Sequence, residues 1–533
     1  MRLRLFNILL LSLFMSGIHL AQISYNISNT LRYGNGERAI GTTKGEFRYF
    51  ENLTDIRLSL PYKITIGARA LYDNPPEIGF VDKGLKRRLI ELSSDNYLIR
   101  LGNFSELYGR GLALNLFENR SLGYDTWMDG VRGKYSFDNF NFSAIAGKLN
   151  FKDSIEIKRK EDYTIFGGGI EYNPLSNIKL GLAYIYSKAL FNVLPKGIEI
   201  TANTPSFYLS YDSKNISFLF DYSFKDSRQL NDNVYSKGRG IYTSISYTQP
   251  GIGITLDYKN YAFDERDPFE RNDFTRPSRM LPFQNPPIVL KEHSYTLFTR
   301  AIHEVDFNDE LGFQLEVFLT PSENSFLTMN ASFASRHSRW ELMNGFEFKK
   351  MDERKIIPGF SNAYSPYYEM FAELEYEFSD NTSCKIAAAK RSKILANEFS
   401  PGSNDHVIHS TILPFQLKKK INSWLSFETD YQIEFVNDNY NTSQQKFNNQ
   451  LFSLIGIFVQ DYTLTFRYEF TTNNYEVSKK RVWSAVEVGG RVNQNISFVI
   501  AYGSERGGQI CSNGVCRYII PFNGLRLQIL TNL

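Results

Sequence analysis

YTIFGGGIEYNPLSNIKLGLAYIYSK, residues 163–188, decides how this chain is read. Residues 163–172 and 178–188 each alternate apolar and polar side chains. The Asn-Pro-Leu-Ser-Asn between them is turn chemistry. A period of two is that of a strand whose successive side chains face opposite ways. The same unit continues outward in both directions. FNFSAIAGKLN (140–150) precedes it. SFYLSYD and ISFLFDYSF flank SKN downstream, and IYTSISY and IGITLDYKNY flank TQPG.

The alternation assigns faces. Glu373, Glu375 and Glu377 oppose Leu374, Tyr376 and Phe378. Ile56, Leu58 and Leu60 oppose Asp55, Arg57 and Ser59, and Leu525, Leu527 and Ile529 oppose Arg526 and Gln528. A soluble sandwich buries the apolar set; a membrane barrel turns it outward to lipid. Three features favour the barrel. Short turns (Leu60-Pro61-Tyr62, Asp138-Asn139, Gln249-Pro250-Gly251, Asp461-Tyr462, Gln494-Asn495) alternate with longer connections at 34–44, 74–85, 108–122, 263–292, 351–365, 437–446 and 505–521. The strands run about nine to twelve residues, enough to cross the hydrocarbon core at a tilt. Their apolar sets begin and end in Tyr and Phe, as interface girdles do.

The expected fold is therefore all-β: a large antiparallel transmembrane β-barrel of about 26 strands, within a range of about 24–26. It starts near Ser24 and ends with Asn523–Leu530. An even count puts both ends on the periplasmic side. Strands begin so early that no separate plug domain is expected before them. The least decisive stretch is 293–340, where HSYTLFTRA, LGFQLEVFLT and FLTMNASFAS all have strand character and one of them has the option of folding inward.

Composition agrees. Of 533 residues 42% are hydrophobic, and 43 Phe and 33 Tyr accompany only 4 Trp, a strand-favouring mixture. Mean hydropathy is −0.33, which excludes a bundle of membrane helices but not a barrel, where only alternate residues meet lipid. Residues 1–21, MRLRLFNILLLSLFMSGIHLA, read as a signal peptide, with Arg2 and Arg4 before an apolar run and Ala21 at the cut. The domain from 22 to 533 is then the barrel. The formal net charge of +3 includes no basic stripe, and no nucleic-acid partner is expected.

Chemistry-bearing motifs are few. GxSxG, HExxH and GxxxxGK[ST] do not occur, no cofactor or metal site is expected, and the chain reads as a non-enzyme. His406 and His409 fall on opposite faces of one strand. Cys511 and Cys516 in CSNGVC, in an exported chain, suggest a disulfide; two free thiols are the alternative. In residues 107–135, Arg110, Arg120 and Arg132 stand near Asp125 and Asp129. They form either a lumen constriction, since charged rings set pore selectivity, or a salt-bridged external loop. The connection 263–292, broken by five prolines, is a lid or a surface loop. Arg57, Arg69, Arg100 and Arg132 share the polar phase with Glu373, Glu375, Glu377, Glu428 and Glu487. They either build a transverse field or pair to brace a wide wall, and pairing is the simpler.

YGRGLALNLFENRSLGYDTWMDGVRGKY (108–135) and GSERGGQICSNGVCRYIIPFNGLRLQ (503–528) resemble an uncharacterised bacterial family of exported, barrel-like proteins, a domain of unknown function. The resemblance implies an outer-membrane location and transfers no catalytic residues. Leu533 departs from the terminal aromatic common in such barrels. The function expected is porin-like passage of small solutes through the outer membrane, with the bilayer as first partner. The alternative is a scaffold that gathers protein partners in a secretion or surface-anchoring complex.

Overall fold

The computed structural model describes residues 23–533 apart from 41–42, 154–158, 192–197, 231–233, 272–280, 301, 401–403, 460 and 513–514. Twenty-four strands form one sheet, and each pairs antiparallel with the next, from Ser24–Ile40 with Thr43–Leu60 to Ile496–Glu505 with Phe522–Asn532. The ring then closes, with Ser28 through Arg38 of the first strand opposite Asn532 through Phe522 of the last. Closure leaves no strand edge unpaired, which is the condition for a sheet to stand in hydrocarbon.

The two faces are inverted relative to a soluble protein. Ile56, Leu58, Ile66, Leu256, Leu374 and Leu464 are exposed on the outside, whereas Asp221, Ser223, Lys225, Gln432 and Glu434 are buried on the inside. Aromatic side chains gather near the short turns. Phe140 stacks on Tyr172 across the strand pair, with ring centroids 4.6 Å apart, and Phe142 follows at 6.0 Å. Such a row is the girdle expected where lipid meets water.

The wall has 24 strands, within the expected 24–26. The structure adjusts other details. Residues 293–300 do not join the wall but fold inside. Ser338–Met343 and Glu347–Glu353 form a hairpin of their own above it. Connection 34–44 is not a loop: Gly34–Ile40 pairs with Thr43–Tyr49 and carries the first hairpin outward. Strands span 8 to 18 residues, so several exceed the nine to twelve expected. Residues 1–21, read as a leader, lie outside the described residues.

An arginine at the outer midplane tests the inverted faces. Leu374→Arg should cost about 2–4 kcal/mol of folding free energy in bilayers. Glu375→Gln, which removes only a one-third-exposed lumen pair with Lys385, should cost less than about 1 kcal/mol. Urea titrations of vesicle-bound protein compare the two.

Candidate functional site

A ring of this size is too wide for wall side chains to fill. Two connections, which leave the wall about a third of the way round the ring from each other, fill it instead. One joins the strands Tyr97–Phe104 and Met128–Phe137; the other joins Ile252–Ala262 and Glu310–Ser322. Tyr108, Leu114, Leu116, Leu122 and Tyr124 of the first pack on the wall residues Ile145, Leu149, Ile165 and Ile185, and on Leu281 and Phe283 of the second. Each such large side chain buried contributes about 1.5–3 kcal/mol. A second apolar cluster sets Tyr295, Leu297 and Phe298 against Phe371, Ala387, Ala389, Ile412 and Leu451. These wall residues break the outward-apolar pattern because a loop, not water, covers them.

The Tyr108-Gly109-Arg110-Gly111 turn shows why its glycines are needed. Gly109 and Gly111 adopt φ of 56° and 89°. A Cβ on Gly109 would lie 2.4 Å from Asp221 Oδ2, and one on Gly111 would lie 2.7 Å from the Asn285 carbonyl. The bend lets the Arg110 backbone N–H donate to Asp221 Oδ2 at 2.6 Å. Wall glycine Gly169 leaves room for the Tyr108 ring, whose phenol burial pushes up to about 12.

The two connections are zipped together. Asn115 N–H donates to the Phe283 carbonyl (2.7 Å), Gln284 Nε2 to the Leu112 carbonyl (2.9 Å), and Tyr124 Oη to the Pro282 carbonyl (2.6 Å). Wall side chains hold the second connection too. Lys259 Nζ, fully buried, donates to the Ile288 carbonyl at 2.6 Å and pairs with Glu310 at 2.5 Å, and Tyr261 Oη donates to the Pro287 carbonyl. Farther along, Glu369 joins His293 (2.6 Å) and Arg391 (2.6 Å), and Arg300 reaches Glu469 (2.6 Å) and the Gly507 carbonyl (2.8 Å). Tyr295 Oη donates to Glu373, and burial followed by that carboxylate raises its pKa.

The predicted constriction residues separate. Arg120 pairs with Glu51 (2.8 Å), Asp125 with Arg87 (3.0 Å) and Arg132 with Glu106 (2.8 Å). Asp129 pairs with Arg88 at 3.5 Å, where both side chains are exposed. The first three pairs fasten the first connection to the wall, whereas Asp129 and Arg88 both stand on wall strands. Arg120, Asp125 and Asp129 line one cavity of about 390 Å³, apart from Arg110. The Arg110 side chain forms no ion pair among the described residues. It borders a chamber of about 760 Å³ between the two connections, with Asp257, Lys291, Glu292, Gln314 and Glu316. Asp257 accepts from Tyr242 Oη (2.8 Å), and Lys291 pairs with Glu316 (2.5 Å).

Most of the wall charges pair: Arg69 with Asp55 (2.7 Å) and Glu118 (2.6 Å), Arg100 with Glu91, Glu375 with Lys385 and Glu428 with Lys418, whereas Arg57, Glu377 and Glu487 form no ion pair among the described residues. Sequence reasoning missed Asp257 and Lys291, because the register and the inward fold that bring them together join residues far apart in the chain. Cys511 and Cys516 are directly opposed in the short ladder Gly508–Ser512 with Val515–Ile519; their side chains lie outside the described residues.

The chain matches one family over residues 2–533, described as a family of unknown function (DUF6029). It belongs to that family. None of the curated proteins matches it. Among solved structures, the siderophore receptor PirA from Pseudomonas aeruginosa aligns at 9% identity and a TM-score of 0.45, over 96% of this chain and 80% of that one. OccK11 (OpdR) from the same organism aligns at 10% identity and 0.35, over 74% and 95%. The P pilus usher (PapC) translocation pore aligns at 8% identity and 0.40, over 96% and 99%. No residue role is carried across from any of them.

Two substitutions probe how the lumen filling is held. Gly109→Ala forces a side chain into the left-handed region and onto Asp221, and should cost roughly 1–3 kcal/mol. Glu369→Ala leaves Arg391 buried without its carboxylate and should cost about 3–5 kcal/mol. Limited proteolysis of the folded barrel should then cut within 107–122 for the first variant and within 293–300 for the second, where the unaltered protein resists.

Proposed function

We propose that the protein stands in the bacterial outer membrane and admits small polar solutes, one at a time, through a lumen narrowed by its own loops. The supporting observation is the chamber beside Arg110. Its volume of about 760 Å³ is that of a small-molecule site, far below an open channel of this circumference. Its lining mixes one unpaired cation with carboxylates and amides, which suits solutes carrying both charges or many hydroxyl groups. The outward apolar face and the aromatic row support the membrane location, and residues 1–21 supply an export leader.

Planar-bilayer recording tests this reading. The purified barrel should conduct ions in small steps, and a variant lacking residues 281–300 should conduct in larger ones. Removing the cation by Arg110→Ala should shift the reversal potential toward cation selectivity, since Asp257, Glu292 and Glu316 remain. A barrel silent in both forms that purifies with stoichiometric partners would overturn passage in favour of a scaffold.

We also read Cys511 and Cys516 as disulfide-bonded, because directly opposed positions of an antiparallel ladder lie within bridging distance. Thiol labelling of the unfolded, unreduced protein should then modify one cysteine, Cys384, and reduction should raise the number to three. Three labelled thiols before reduction would sink the bridge.

A further inference from the structure

Part of the connection between Ser325–Ser335 and Tyr367–Ser379 folds down the outside of the wall. Asp257, Lys259 and Tyr261 face the lumen, so Tyr258 and Asn260 face outward. Register carries that outward phase to Leu311 and Phe313, and on to Ser335 and Phe333. Side chains at the lipid-facing phase should be exposed and apolar. Here Leu311 is fully buried, and Asn260 and Ser335 are buried polar residues.

Residues 354–360 explain both anomalies, because they lie across that patch. Asn260 Nδ2 donates to the Lys355 carbonyl (2.7 Å) and Tyr258 Oη to the Ile356 carbonyl (2.8 Å). The Gly359 N–H donates to Ser335 Oγ (2.8 Å), and the Phe360 ring packs on Phe333 at 4.4 Å. His337 bridges Asp309 and Asn260 beneath. Irregular backbone is tolerated at membrane depth only where its polar groups are satisfied by protein. The misplaced polar side chains of the wall do that for this strap. Pro358 is buried with it, yet three apolar side chains stay open: Ile356 is 71% exposed, Ile357 66%, and Phe360, one face of whose ring lies on Phe333, 70%.

Depth favours lipid over water as their surroundings. Tyr258 is six residues above the turn-side strand end at Ile252. That is about 20 Å along a strand and, at a barrel's tilt, about 15 Å along the membrane normal. The apolar band of such barrels is about 25 Å tall. The strap therefore reaches below the rim, in continuity with the exposed Leu256, Leu315 and Met370 of the lipid-facing wall.

We propose that residues 354–360 form an external strap that inserts Ile356, Ile357 and Phe360 among the acyl chains of the outer leaflet, anchoring that arc of the barrel. The strap rests on the membrane reading of the preceding section. The full chain, in phosphatidylcholine vesicles doped with a phosphatidylcholine bearing a diazirine in its acyl chain, is irradiated, and adducts are mapped by mass spectrometry. Adducts on Ile356, Ile357 and Phe360, in yields comparable to those on Leu256 and Leu315, are expected. Adducts on Leu256 and Leu315 with none on the strap would overturn the strap and leave the membrane reading standing. Adducts at neither place would overturn the membrane reading itself.

Discussion

The pairing of the first strand with the last is what the remaining structure depends on. Eleven register pairs, from Ser28↔Asn532 to Arg38↔Phe522, turn an open sheet into a ring. An open sheet of this extent would leave two rows of peptide groups without partners, a cost that hydrocarbon does not forgive. Once the ring exists, the outer phase is free to be apolar and the inner phase is obliged to be polar. Both the exposed leucines outside and the paired carboxylates inside follow from that single act of closure.

Closure at this circumference creates a second problem, which the chain solves from within. Two connections enter from separate arcs and meet, so the interior is a composite of apolar islands and polar seams. The islands of Leu114, Tyr124 and Phe298 give the segments somewhere to bury side chains. The seams, Lys259 with Glu310 and Glu369 with Arg391, fix where they sit, since a buried charge without its partner is costly. Charges that looked in sequence like a selectivity ring serve mostly as clamps, and Arg110 is left facing open space.

The wall was legible in sequence because a two-residue period is a local property. Ile56, Leu58 and Leu374 announce their face through their immediate neighbours. The interior was not legible for the same reason. LALNLF and HSYTLFTRA alternate as well as any wall strand, yet both bury their apolar residues against the inside of the barrel. What distinguishes them is that neither pairs with a strand of the wall, a non-local fact. The YGRG turn was visible as a break, and its glycines carried a real signal; that its backbone would meet Asp221, 111 residues on, was not readable. The folded-over segment at 354–360 was equally hidden, since a surface loop and an outward-lying strap look alike until the register shows which side of the wall Asn260 faces.

The zipping of the two inner connections limits how the interior can open. Each segment is fastened to the wall at both of its ends, so neither can swing out like a cork on a string. Widening the passage means parting main-chain contacts such as Asn115 to Phe283 one after another, each worth about 1 kcal/mol. An aperture built that way breathes by small, local steps, and its traffic is paced by the stitching rather than by the width of the cylinder around it.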